Sequence, residues 1–183
     1  MKIKKISQSA GVIANVIDSL ESSSSIDALS ANKGKELQEQ INEINDKSAM
    51  TITLPVNTPV EITETYEGAR IPLTGLGCQK GLNLILENEK IKVNKSGYYR
   101  ISAATTVTGA NGTTQCLYIW QNDLNICSGY QVAVNDSFVQ ISLPSRIIYA
   151  EEGDEFSLQL SSNVINTYTV AGSKYTYLTV EEI

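Results

Sequence analysis

The hydrophobic period of the chain changes twice. From about Met50 onward the apolar positions recur at every second residue. In "GYYRISAATTV" the alternation sets Tyr99, Ile101, Ala103, Thr105 and Val107 on one face and Tyr98, Arg100, Ser102, Ala104 and Thr106 on the other. "EFSLQLSS" repeats the pattern with Phe156, Leu158 and Leu160. "QCLYIW", "FVQISL", "RIIYA" and "YTYLTVEEI" are β-rich runs, and the clusters "GANGT", "NDLN", "VNDS" and "EEGDE" between them have turn chemistry. With "TITLPV", "PVEIT" and "LNLILEN" the pattern predicts roughly eight to ten short strands and no long helix, an antiparallel sandwich or jelly roll of about 130 residues.

Before that zone the period is helical. Leu37, Ile41 and Ile44 are spaced by four and three residues within "KELQEQINEIN", among good helix formers, with Gly34 at the expected helix start. This helix of about three turns, roughly 17 Å, is too short to stand alone in water, where isolated helices under about 12–15 residues are marginal. Nothing else in the chain offers a matching helix, so the stripe is expected to pack against the same segment of other copies. Earlier still, Ile3, Ile6, Val12, Ile13, Val16, Ile17 and Leu20 crowd the first twenty residues. The last five share one helical face, with Ser9 as a plausible cap, and the segment is expected to fold against a partner as an anchor.

These patterns divide the chain into an anchor (1–25), a short helical stalk (26–49) and a β head (50–183). The expected class is mainly β, with short N-terminal helices ahead of the sandwich.

Composition narrows the function. The 183 residues carry a net charge of -6, and setting aside Lys2, Lys4 and Lys5 leaves the rest at -9. Such a body repels nucleic acid and anionic membranes, whose binding relies on clustered Lys and Arg. No apolar run reaches a membrane span, and polar residues interrupt the region after the basic start where a secretion signal would need its apolar core. Cys78, Cys116 and Cys127 have no metal-ligand spacing. They are expected as buried free thiols, the alternative being one Cys116–Cys127 bridge.

Candidate chemistry is sparse. With no histidine in the chain, Ser-His-Asp and Cys-His nucleophilic systems are excluded. Glu61, Glu64 and Glu67, or Glu151, Glu152, Asp154 and Glu155, supply the carboxylates a glycosidase needs, but the second group lies in a turn where Asp154 is placed to bond turn amides. Those oxygens also suit calcium, although turn bonding is the simpler reading. "GLGCQKG" runs into a strand-like segment instead of a helix, so its glycines read as turn residues and not as a phosphate loop. No catalytic residue, cofactor or metal site is therefore expected. Tyrosine outnumbers phenylalanine nine to two. Tyr130 and Tyr168, with Asn122 and Asn166 in the neighbouring polar segments, are the candidate ligand-binding loop residues, because a tyrosine ring offers an apolar face with a polar tip. Tyr118 and Trp120 read as core or subunit interface.

Two resemblances follow from these residues. "DALSANKGKELQEQI" resembles a motif of phage head and tail fibre proteins that precedes a short trimeric helix, with Ala28, Leu29, Ser30, Ala31, Asn32, Gly34 and Leu37 all in place. The β zone is similar to C1q/TNF-type jelly rolls: Gly97, Tyr99 and Ile101 match a Gly-x-Tyr-x-Phe strand, with Ile where Phe is usual. Gly153 and Asp154 match that family's Gly-Asp turn, and "YTYLTVEEI" its closing strand. Together they imply a homotrimer with a coiled-coil stalk built on Leu37, Ile41 and Ile44. The implied protein is a non-enzymatic virion surface component made in the host cytoplasm, held by a capsid or tail protein at residues 1–25, with its head free to adhere to a host-surface glycan or protein. A stalk this short and the absence of repeated shaft segments favour a head fibre over a tail fibre. A polysaccharide-degrading tailspike is the more distant alternative.

Overall fold

The computed structural model of the chain describes residues 31–45 and 47–183. The expected anchor residues Ile3, Ile6, Val12, Ile13, Val16, Ile17 and Leu20 lie outside them. Compactness divides the chain into residues 1–46 and 47–183.

In the first unit, helix α1 spans Ala31–Asn45. It begins ahead of Gly34, so this glycine lies within the helix and does not open it. Lys33–Glu36 and Lys35–Glu39 ion pairs and a Gln38–Asn42 hydrogen bond line its exposed surface at one-turn spacing. A Cβ at Gly34 would meet nothing within 4 Å. Gly34→Ala is therefore expected to stabilise the helix by about 0.5–1 kcal/mol, read as a gain in helical circular dichroism and a higher melting temperature.

The second unit holds the thirteen strands of the described residues: β1 (Ala49–Leu54), β2 (Thr58–Ile62), β3 (Ala69–Arg70), β4 (Gly75–Lys80), β5 (Leu84–Glu87), β6 (Lys90–Val93), β7 (Gly97–Gly109), β8 (Thr114–Gln121), β9 (Leu124–Val132), β10 (Ser137–Ala150), β11 (Glu155–Ser162), β12 (Asn166–Val170) and β13 (Ser173–Glu182). They form two antiparallel sheets. The first runs β2-β12-β7-β13-β1-β4, with β10 on the other side of β7; the second runs β5-β6-β11-β8-β9, with β3 beside β11. Successive long strands change sheet at β8, β10 and β11, so the core lies between two layers, as in a jelly roll.

Alternation decides what that core contains. Tyr99, Ile101, Ala103 and Val107 from β7 face Phe156, Leu158 and Leu160 from β11 and Leu117 and Ile119 from β8, all buried. Thr105 falls on the same inward register, and its hydroxyl is satisfied by Thr176 Oγ1 at 3.0 Å, which itself donates to the Ala171 carbonyl. Strand β10 is long and lies at a sheet edge, but its register slips between Leu143 and Arg146, around Pro144. Such a bulge with a proline blunts an edge that would otherwise template aggregation.

Two local readings are corrected. "GLGCQK" is the edge strand β4 and not a turn, paired to β1 with almost every side chain in solvent, so no alternation marked it. All three cysteines are free, and Cys78 is exposed on that edge while Cys127 is buried. A Cys116–Cys127 bridge is not formed because Cys116 stands opposite Tyr130 in the β8–β9 ladder and Cys127 opposite Ile119.

Candidate functional site

The inward register of β7 and β10 also fixes what faces outward. Tyr99 lies in the core, so Tyr98 points away from it, and Tyr149 stands opposite Tyr98 on β10. Their rings pack edge to face with centroids 5.4 Å apart. Ile147 is the next outward residue on β10 and is exposed. Arg100 and Glu181, 3.6 Å apart, flank this patch. Solvent-facing aromatics concentrated on one sheet face are a recurring sign of an interaction surface.

The patch begins at the end of the sandwich where both ends of the unit meet. Lys47 Nζ donates to the Ile183 carbonyl at 2.9 Å, and the Ile183 N–H donates to the Tyr98 carbonyl at 3.0 Å. Glu182 locks this end. Its side chain is only 5% exposed. It accepts hydrogen bonds from the Ser48 N–H at 3.1 Å and Asn83 Nδ2 at 3.0 Å, and it pairs with Lys95 Nζ at 3.1 Å. Burial works to raise its pKa, and Asn83, the Ser48 N–H and Lys95 outweigh that and hold it below the ordinary value of 4.5. Tyr99 donates from its hydroxyl to the Lys95 carbonyl at 2.6 Å; burial, with Glu182 adding, pushes its pKa to about 12.

Asp154 does the same work at the neighbouring turn. It accepts from Gln121 Nε2, Asn122 Nδ2 and the Glu151 N–H. Burial lifts its carboxyl, but Asn122, the Glu151 N–H and Gln121 together hold it below 3.8. Both groups are more acidic in the folded state than in the unfolded one. Their contribution is therefore complete above the ordinary carboxylate values and is lost as pH falls through the depressed ones. A melting profile from pH 6 to pH 2.5 is expected to fall below about pH 4.5. Glu182→Gln is expected to cost about 2 kcal/mol at neutral pH and to flatten that acid limb.

Of the candidate ligand residues, Asn166 and Tyr168 come to one place and Tyr130 and Asn122 to others. Tyr130 is 72% exposed on β9. Tyr168 is not a loop residue: it is 2% exposed on β12 opposite Val60, and its hydroxyl is held by Ser162 Oγ at 2.8 Å and the Val164 carbonyl at 3.0 Å. Its ring belongs to the core and has no face to offer. Asn122, in a left-handed turn conformation (φ 53°), spends its amide on Asp154 and on the Glu155 N–H. Asn166 stays in solvent at the start of β12, accepting from the Thr167 N–H. In α1, Leu37 is half-buried and Ile41 is 42% exposed; the Ile44 side chain is outside the described residues.

Asn166 borders a cavity of 390 Å³ at the opposite end of the sandwich, lined also by Thr108, Asp136, Ser137, Phe138 and Thr167. Sequence reasoning missed Phe138 here, although the signal was present. With Val139, Ile141 and Leu143 inward, Phe138 is an aromatic at a solvent register. Among the described residues no group of three or more metal-ligating side chains comes together, and no helix is long and apolar enough to cross a membrane. The carboxylates of Glu61, Glu64 and Glu67 are exposed, and Glu155 pairs with Lys90.

No protein-family model matches the chain, and neither does any curated protein. Solved structures do. Murine APRIL at pH 5.0 aligns over 75% of this chain and 99% of its own, with 13% identity and a TM-score of 0.57. The Eiger TNF of S. frugiperda aligns over 75% and 93%, with 10% identity and a TM-score of 0.55. The sandwich has a TNF-like jelly-roll fold. At such identity the likeness speaks for the fold alone, and the expected mainly β, C1q/TNF-like class stands on it.

Proposed function

We propose that the chain is a homotrimeric phage head fibre. Residues 1–25 hold it to a capsid protein, residues 26–49 form a three-helix stalk on Leu37, Ile41 and Ile44, and residues 50–183 form an adhesive head. The observation that carries the reading is the outward face of the first sheet. Tyr98, Ile147 and Tyr149 are exposed together on a TNF-like jelly roll whose opposite face is already buried. A second copy rotated about a threefold axis covers such a face, and a third closes the ring, leaving no open contact to propagate.

The stalk motif supports the phage assignment and the same symmetry. The stripe of half-buried Leu37 and exposed Ile41 needs the cover that three parallel copies supply. Three identical heads per fibre, and many fibres per particle, turn weak contacts with a host-surface glycan or protein into useful avidity. No catalytic step is assigned, because the carboxylate clusters either lie in solvent or hold turns and salt links together.

The test is immunogold electron microscopy of the particles whose genome encodes the chain, with antibody raised against the purified protein. Gold on the capsid is the expected result. Gold confined to the tail makes the chain a tail fibre, and unlabelled particles refute the virion assignment.

A further inference from the structure

We propose that the 390 Å³ cavity at the end of the sandwich away from Lys47 and Ile183 is a binding site for a neutral sugar ring of a surface polysaccharide. The proposal rests on the adhesion reading above and gives it a place and a ligand class.

Topology makes the site. Its walls come from the end of β7 (Thr108 to Ala110), the start of β10 (Asp136 to Phe138) and the start of β12 (Asn166 to Tyr168). The turns around it are tied to one another. The Asn111 N–H donates to Asp136 Oδ1 at 2.9 Å, the Asn135 N–H to Asn111 Oδ1 at 3.2 Å, and the Gly112 N–H to the Ala133 carbonyl at 2.9 Å. A site held this way loses little freedom when it binds. Its volume falls within the range of about 300–1,000 Å³ usual for small-ligand sites.

The lining chemistry fits a sugar. Phe138 is 55% exposed and presents an aromatic surface beside the cavity, suited to the apolar C–H face of a pyranose. Asp136 Oδ2 is an acceptor and Asn166 Nδ2 a donor, each without a protein partner among the described residues. The Ser137 and Thr167 hydroxyls add rotating donor-acceptors. Alternating donors and acceptors beside one aromatic surface match ring hydroxyls, which both give and take hydrogen bonds. Among the described residues the only charge lining the cavity is the Asp136 carboxylate, on a chain with excess negative charge. An acidic sugar is therefore repelled and a neutral hexose or N-acetylhexosamine accepted.

The site lies at the other end of that sheet face from the Tyr98–Tyr149 pair, with Phe138 at an outward register of β10 as Ile147 and Tyr149 are. Tyr98 and Thr108 are ten residues apart on β7, roughly 33 Å along the strand. Losing one surface need not disturb the other.

The test is binding of the full-length protein to an array of neutral hexose, N-acetylhexosamine and uronic acid oligosaccharides. Phe138→Ala, Asn166→Ala and Asp136→Asn are compared with wild type at equal solution mass. The expected result is binding to neutral oligosaccharides that falls about tenfold in Phe138→Ala and severalfold in Asn166→Ala. Asp136→Asn is expected to narrow the preference for neutral over acidic sugars. Sugar binding untouched by all three substitutions overturns the site and leaves adhesion standing. A blank array overturns it too, and a parallel co-sedimentation with host cells then separates the two readings. Protein retained by cells keeps adhesion without this site, and protein retained by neither removes both.

Discussion

Tyr98→Asp combined with Tyr149→Asp is expected to convert the protein from three copies to one while leaving the sandwich folded. Both side chains point away from the core, so the substitutions touch no packed interior. In a threefold assembly they place two carboxylates at each of three subunit contacts, on surfaces that exclude water. Each unpaired charge so buried costs several kcal/mol, and about 1.4 kcal/mol is already tenfold in a dissociation constant. Sedimentation velocity reads the change in mass, and far-ultraviolet circular dichroism reads the retained β structure. An unchanged mass with both aspartates in place removes this face from the interface.

The second large effect is in the core. Phe156 is fully buried on β11, paired to Ile91 on β6 and to Gln121 on β8, in the interior of the second sheet. Phe156→Ala is expected to cost about 3–5 kcal/mol, a large share of a typical domain stability of about 5–15 kcal/mol. Phe138→Ala is the matched control, since the same ring deleted from an outward register is expected to change stability by no more than about 0.5 kcal/mol. Urea midpoints compared in the Tyr98→Asp, Tyr149→Asp background keep subunit association out of the difference. Equal losses from the two phenylalanines would contradict the register assigned to β10 or β11.

That contrast also marks what was legible in the sequence. Strict alternation placed Tyr99, Ile101, Ala103, Thr105 and Val107 inward on β7, and Phe156, Leu158 and Leu160 inward on β11; all are buried. Long strands whose alternate positions carry small or polar residues announce themselves in this way, even where Ser157, Ser161 and Ala104 on the second face are themselves buried. Among the described residues thirteen strands form where roughly eight to ten were expected; two of the additions are β3, with two residues, and β4, with solvent on nearly all its side chains, and neither carries a period. Tyr168 misled because Asn and Thr around it look like a loop, whereas pairing of β12 with β2 turns its ring inward. Tertiary pairing overrode local polarity there. Asn122 was found in a turn as expected, but its amide serves Asp154 and the Glu155 N–H.

The sugar site was out of reach for a different reason. Its walls are about thirty residues apart from one another along the chain, at positions 108–110, 136–138 and 166–168, and only the strand order brings them together. Asn166 and Tyr168 were the members anticipated, and the Tyr168 ring is buried in the core. Phe138 and Asp136 carry the chemistry, and neither is distinctive without knowing that Phe138 faces solvent.

Threefold self-association is the claim on which stalk, head and avidity all depend, and the solution mass of the full-length chain by multi-angle light scattering tests it most directly. One copy weighs 19.9 kDa. The expected result is three times that mass at micromolar concentration, reduced by the Tyr98→Asp, Tyr149→Asp pair. A wild-type mass of one copy at the same concentration would contradict the account, leaving the Tyr98–Tyr149 face and the Leu37–Ile41 stripe without the cover proposed for them.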